Sequence, residues 1–248
     1  MQPQERQPIF NAPAVVVGVA VVLVMVHAAR ALLSPAADNA LVELLSFNAA
    51  RYLGPPVRDV LPGWTMPVAF VSHALLHGDL MHLVVNTAWL LAVGTPVARR
   101  TSAPLFLAFF AVCAAGGALL FLCFNPTLNS ALIGASGAIS GLMAAVFRLM
   151  YAADDAYGRH LLSERAWEAP RLTVRSMLTR RAPLTAIIGW VGVNIVVALA
   201  LGSLGEGMPI AWEAHLGGFF VGLLTYELFD RGWDGEQPSG YLRVHGER

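Results

Sequence analysis

The chain has 248 residues, of which 56% are hydrophobic and only 13% are charged, and its formal net charge is zero. Soluble domains carry about 25% charged residues, so this composition excludes an ordinary water-exposed domain and indicates a protein that lies in lipid. The balanced charge gives no reason to expect a nucleic-acid partner.

Six apolar runs are long enough, or nearly so, to cross a hydrocarbon core of about 30 Å. In chain order they are residues 12–33, 82–97, 104–124, 136–150, 184–204 and 210–229. The second and fourth are short for a full crossing. The pattern predicts an all-α, polytopic membrane protein with a six-helix membrane domain at 12–229. A cytoplasmic N-terminal segment (1–11) and a polar cytoplasmic tail (230–248) are expected on either side of it.

The arginines predict the orientation of the chain, because the cytoplasmic loops of membrane proteins are rich in Lys and Arg. With the N-terminus inside, only Arg30, Arg51 and Arg58 fall on the outer side. The first run is expected to be a retained span and not a cleaved signal peptide. The short N-terminus lacks an arginine- and serine-rich transit segment, which favours the plasma (inner) membrane of a bacterium.

The first outer loop, residues 34–73, is long and mixes apolar with polar residues. One interpretation is a partly helical element that lies in the outer membrane interface. The alternative is an ordinary extracellular loop.

Polar side chains occur inside three of the apolar runs, where they are energetically expensive and by default mark function. His82 and Asn86 lie four residues apart, on one face of the second span. Ser136 begins the fourth run, and His215 lies a few residues into the sixth. All three spans run from outside to inside in the predicted orientation. We therefore expect the four side chains at a similar depth, near the outer surface.

Together these groups have the chemistry of a serine hydrolase. A serine hydroxyl becomes a nucleophile when a base, most often a neutral imidazole, takes its proton. The tetrahedral intermediate then carries an oxyanion that needs hydrogen-bond donors. Candidate donors are the Asn86 amide, the His82 ring N–H and the backbone N–H of Ser136, which lies at a helix start where N–H groups lack intrahelical partners.

Glycines flank both reacting residues. Gly134 and Gly137 lie on either side of Ser136, and Gly218 and Gly222 form a G-x-x-x-G pair on the His215 helix. Small residues let membrane helices approach closely, and such an approach is needed to bring a serine within reach of an imidazole. The alternative is that these glycines only pack helices.

The segments around these residues resemble the rhomboid family of intramembrane serine proteases. HALLHGDLMHLVVN (73–86) is similar to the family's second-helix signature, and GASGAISGL (134–142) to its G-x-S-G nucleophile segment. AHLGGFFVGL (214–223) resembles its histidine helix. The resemblance covers the predicted six-helix core, from about residue 12 to 229.

The resemblance implies a serine endopeptidase with Ser136 as nucleophile and His215 as general base, without a third, acidic member. His82 and Asn86 would support the oxyanion. The substrates would be transmembrane segments of other membrane proteins, cut near the outer membrane face, and neither a cofactor nor a metal is expected. A short fourth helix is implied at the floor of a water-filled cavity, together with structural roles for two histidines before the second helix, His73 and His77.

The chain departs from the family pattern at two positions. Family members often have an aromatic residue four positions after the serine, stacked on the imidazole, and here that residue is Ser140. Many also carry a Trp-Arg pair in the first loop, where this chain has Trp64 and Thr65. The first departure affects how the base is oriented, and the second affects the detailed structure of the loop.

Three other functions compete with this prediction. An inactive rhomboid-like protein that binds membrane clients would usually have lost the serine or the histidine. A transporter would favour repeated halves and a site at the centre of the membrane. A zinc protease would show an H-E-x-x-H motif, which is absent from this sequence.

Overall fold

A computed structural model describes residues 12–54, 61–156, 171–203 and 211–231 of the protein. Within these ranges the regular secondary structure is helical apart from two very short strands, β1 (Phe47–Asn48) and β2 (Ala131–Leu132). The all-α prediction is therefore confirmed. The helices are α1 Ala14–Ala31, α2 Pro35–Leu45, α3 Ala50–Leu53, α4 Thr65–Ser72, α5 Leu80–Ala98, α6 Ala103–Phe124, α7 Ser136–Ala156, α8 Val174–Thr179, α9 Arg181–Ser203 and α10 Trp212–Thr225.

Four of the described helices, α1, α5, α6 and α9, are long and apolar enough to cross a membrane. The protein is thus an integral membrane protein. The apolar part of α7, Ser136–Ala152, is shorter, and α10 has 14 residues before a 3₁₀ turn at Tyr226–Leu228. That all six predicted runs cross the bilayer stays a prediction.

Helix α5 is longer than its apolar run suggested, and the prediction that the second span is short was wrong. Asp79 caps the helix by accepting a hydrogen bond of 2.8 Å from the backbone N–H of His82. The helix therefore begins at Leu80, and it continues through Pro96 to Ala98. Its 19 residues are enough for a crossing.

Helices α6, α7 and α10 pack most closely with one another, while α5 packs on α7 and α1 on α5. The close packing depends on glycine. A methyl group added at Gly218 of α10 would overlap the carbonyl oxygen of Gly137 on α7, and one at Gly222 would lie 2.5 Å from the Cα of Gly141. Small residues thus let these backbones touch, as membrane helix packing requires.

Helix α9 is the most peripheral of the long helices, with only 11% of its apolar window buried inside the protein. It lies against α10, where the rings of Trp190 and Phe219 stack with centroids 4.2 Å apart and an interplanar angle of 16°. Several other large side chains of α9, such as Val193 and Val196, are exposed. They form an apolar exterior suited to lipid.

The described part of the first loop is partly helical, as one of the two interpretations expected. Strand β1 pairs antiparallel with β2, with Phe47 opposite Leu132. This pairing fixes the loop to the segment that leads into α7. Arg30 at the end of α1 donates to Asp38 of α2 at 2.7 Å and to the carbonyl of His77 at 2.8 Å, so the loop is also joined to the entry of α5.

Candidate active site

The segment before α7 turns sharply at Gly134. Its φ is +117°, a backbone conformation that L side chains rarely adopt. Its N–H donates to the carbonyl of His73 at 2.9 Å, so the turn is fixed against the loop before α5. Helix α7 then begins at Ser136, and the N–H groups of that first turn have no partner within the helix.

Ser136 and His215 lie together. Oγ of Ser136 is 2.8 Å from Nε2 of His215, which is a good distance for a hydrogen bond. The contact joins the first turn of α7 to the first turn of α10. One turn further along α10, Gly218 meets the backbone of Gly137. The close glycine packing therefore brings the two side chains within reach of each other.

The other ring nitrogen of His215 contacts a residue that the sequence analysis missed. Nδ1 of His215 lies 2.8 Å from Oδ1 of Asn194, on α9. Asn194 falls in the fifth apolar run, where a polar residue is a signal of function. The run alone does not reveal which face of the helix carries it, and its neighbours belong to no recognised motif.

Ser140 does not occupy the role of the aromatic residue that it replaces. Its hydroxyl donates to the carbonyl oxygen of Ser136 at 2.7 Å, one turn back in the same helix. Hydroxyls of serine often bond in this way inside helices. The group that approaches the imidazole is instead the amide of Asn194 from α9.

His82 and Asn86 lie one turn apart on α5, and the His82 ring is directed towards the turn before α7. A methyl group at Gly134 would lie 2.7 Å from Nε2 of His82 and 3.8 Å from Oγ of Ser136, so the ring and the hydroxyl flank the same glycine. Asn86 is 4% exposed, and its amide donates to the carbonyl of His82 at 2.8 Å. The two residues are thus coupled to each other.

The capping residue of α5 carries a negative charge close to this group. The hydrogen bond from the His82 backbone N–H holds the pKa of Asp79 below its usual value, so the carboxylate is ionised at neutral pH. An ionised side chain at a helix N-terminus also interacts favourably with the helix dipole. Asp79 therefore stabilises the start of α5, which carries His82.

The two histidines before α5 are buried within the loop. His73 is buried, and its Nδ1 lies 2.9 Å from the carbonyl of Ala69. His77 is fully buried, its carbonyl accepts from Arg30, and its ring lies edge-on to that of His82 with centroids 5.0 Å apart. Within the described residues, no group of three or more His, Cys, Asp or Glu side chains is placed to hold a metal ion.

Comparison with known families decides the assignment. The Rhomboid domain matches residues 64–230, which include α4 to α10 and all the residues of the candidate site. The chain belongs to the rhomboid family. No curated protein matches it. The resemblance carried by the three motifs is therefore confirmed at the level of the family, whose members are generally serine intramembrane proteases.

Proposed function

We propose that this rhomboid-family protein is an intramembrane serine endopeptidase with Ser136 as nucleophile and His215 as general base. The observation that carries the proposal is the 2.8 Å contact between Oγ of Ser136 and Nε2 of His215. It is made between two helices that begin at the same end of the bundle. An imidazole within hydrogen-bond distance of a serine hydroxyl can act as the base that activates it for nucleophilic catalysis.

The reaction would follow the acyl-enzyme sequence. Oγ of Ser136 attacks the scissile carbonyl carbon while Nε2 of His215 takes the hydroxyl proton, and the carbonyl electrons move onto the oxygen. The C–N bond then breaks, and the departing amine receives the proton from His215. Water, deprotonated by the same nitrogen, attacks the ester carbon at Ser136. The bond from that carbon to Oγ then breaks, Oγ receives the proton from His215, and the carboxylic acid is released.

The oxyanion of this intermediate needs donors beside the nucleophile. The backbone N–H of Ser136 lies in the first turn of α7, where the helix dipole adds positive character. The His82 ring lies beside Gly134, close to the serine hydroxyl, and Asn86 is coupled to His82. We assign these three groups to oxyanion stabilisation.

The proposed substrates are transmembrane segments of other membrane proteins. The dyad lies at the starts of α7 and α10, which the arginine distribution directs to the outer face. A helix hides its carbonyls, so a substrate must unwind there before attack. We further propose a plasma-membrane protein with a cytoplasmic N-terminal segment (1–11) and tail (230–248), which acts without cofactor, metal or nucleic acid.

Cleavage in reconstituted vesicles tests the proposal. Purified protein should cut a panel of single-span substrates within or beside their outer ends, whereas Ser136→Ala and His215→Ala should leave them intact. The Val193→Ala variant, changed at an exposed position of α9, serves as a control and should cut normally. Folded protein that binds the panel and cuts none of it would favour an inactive, client-binding relative.

A further inference from the structure

Asn194 is a polar residue in the most lipid-exposed of the long helices. The apolar window of α9 has a mean hydropathy of 2.0, and an amide in such a helix is costly unless its donors and acceptor are used. Both ends of the Asn194 amide are used. Nδ2 donates to the carbonyl of Trp190 at 2.8 Å, and Oδ1 lies 2.8 Å from Nδ1 of His215.

The first of these contacts fixes which way the amide points. A backbone carbonyl only accepts hydrogen bonds, so the amide atom that faces Trp190 must be the NH₂ group. The atom that faces His215 is then the amide oxygen, which is an acceptor only. A flipped amide would place two oxygens against each other at Trp190 and leave an N–H group facing the imidazole.

The orientation of the amide in turn fixes the tautomer of the neutral imidazole. Because Oδ1 of Asn194 only accepts, Nδ1 of His215 must carry the proton that lies between them. Nε2 then has a lone pair, and it lies 2.8 Å from Oγ of Ser136. This is the tautomer that can take the serine proton; the other would present an N–H to the hydroxyl.

A second contact holds the two helices in register. Trp190 and Asn194 are one turn apart on α9, and Phe219 and His215 are one turn apart on α10. The ring stack of Trp190 on Phe219 and the Asn194–His215 hydrogen bond therefore form successive rungs between antiparallel helices. The stack limits sliding of α9, which would otherwise move the amide away from the ring.

We propose that Asn194 is a positioning residue that holds His215 in the Nδ1-protonated tautomer, with Nε2 directed at Ser136. Its catalytic consequence rests on the proposed protease function. The amide holds the imidazole in the correct tautomer and orientation, as a buried carboxylate does in other serine hydrolases. It does so without placing a charge in a helix surrounded by lipid. Ser140, whose hydroxyl bonds its own helix, leaves this task to α9.

The tautomer of His215 can be measured by NMR whether or not the protein is catalytically active. In protein labelled with ¹⁵N at histidine, the His215 signals, assigned from their absence in His215→Gln, should show a protonated Nδ1 and an unprotonated Nε2. In Asn194→Leu, which fills the same space without hydrogen bonds, we expect a mixture of tautomers. Val193→Leu, at the neighbouring exposed position, should keep the wild-type signals.

The rate of covalent reaction with a fluorophosphonate measures how much Asn194 contributes to catalysis. Loss of correct orientation can cost about 10²-fold in rate, so Asn194→Leu should label about 10²-fold more slowly than Val193→Leu. Asn194→Asp should recover most of the rate, because a protonated carboxyl group donates to the Trp190 carbonyl and accepts from Nδ1. Ser136→Ala gives the background of the measurement.

Each outcome decides one proposal. A protonated Nε2 in the wild-type protein would overturn the positioning role even if Asn194→Leu failed to fold. Equal labelling and equal tautomers in Asn194→Leu and Val193→Leu would overturn it too. Wild-type protein that never labels would instead refute the protease, while the tautomer measurement would still test the role of Asn194.

Discussion

His82 and Asn86 are held at the candidate site in different ways. Asn86 is buried, and one N–H of its side-chain amide donates to the carbonyl of His82. The second N–H of the amide can donate to another acceptor. The His82 ring lies against Gly134 and is braced edge-on by His77. Both side chains are therefore oriented before a substrate arrives, as electrostatic stabilisation of an oxyanion requires.

Removal of either donor should slow cleavage without unfolding the protein. For His82→Ala and Asn86→Ala we expect a loss of about 10²–10³ in rate, the usual effect of one oxyanion donor. Val85→Ala, an exposed neighbour on the same helix, is the matched control. Rates measured in vesicles at equal protein amounts would contradict the assignment if both variants matched that control.

The residues that the sequence predicted least well are those whose role depends on a neighbouring helix. The three motifs singled out Ser136 and His215 because each lies in a recognisable local pattern. Asn194 has no such pattern, since its role arises only where α9 meets α10. Ser140 stands where family members often have an aromatic residue that stacks on the imidazole. It bonds the Ser136 carbonyl, and Asn194 contacts the ring.

At the scale of helices, glycine contacts set the distance between α7 and α10. Gly218 lies against Gly137 next to the dyad, and Gly222 against Gly141 one turn deeper. The sequence predicted close packing from the G-x-x-x-G spacing. It did not predict the start of α5 at Leu80, because the capping carboxylate of Asp79 lies outside the apolar run.

A single methyl group at this contact should separate the helices. Gly218→Ala would place Cβ on the Gly137 carbonyl, and overpacking of this kind costs about 1–3 kcal/mol. We expect lower stability in equilibrium unfolding in mixed micelles, together with slower cleavage as Ser136 and His215 move apart. Gly189→Ala on α9, where nothing lies within 4 Å, is the control. Equal stability of the two variants would contradict a tight α7–α10 contact.

At the scale of the whole molecule, the polar groups divide between the two ends of the helix bundle. The candidate site and the Arg30–Asp38 pair lie at one end. At the other end of α7, Arg148 is fully buried and donates to the carbonyls of Leu172 and Leu223 and to Glu227. Because its guanidinium is satisfied from three segments, Arg148 joins α7 to the chain on both sides of α9.

A second cluster of charged residues lies at the same end of the helix bundle as Arg148. The side chain of Asp230, the first residue of the predicted tail, is buried and accepts from Arg100 at 2.8 Å and from Arg171 at 2.7 Å. Between the two ends, long helices present exposed apolar side chains, including Val21 on α1, Val84 on α5 and Val196 on α9. Composition predicted this lipid-facing exterior. The pairing of particular arginines with particular acids depends on the folded chain and could not be read from the sequence.

The most direct test of the account is covalent labelling of the intact protein in detergent with a fluorophosphonate. A serine activated by His215 displaces fluoride from the phosphorus, whereas an unactivated hydroxyl in a membrane helix does not react. The account predicts one adduct, placed on Ser136 by mass spectrometry, which is absent in Ser136→Ala and greatly reduced in His215→Ala. Folded protein that never labels, or an adduct on Ser130 or Ser140, would contradict it.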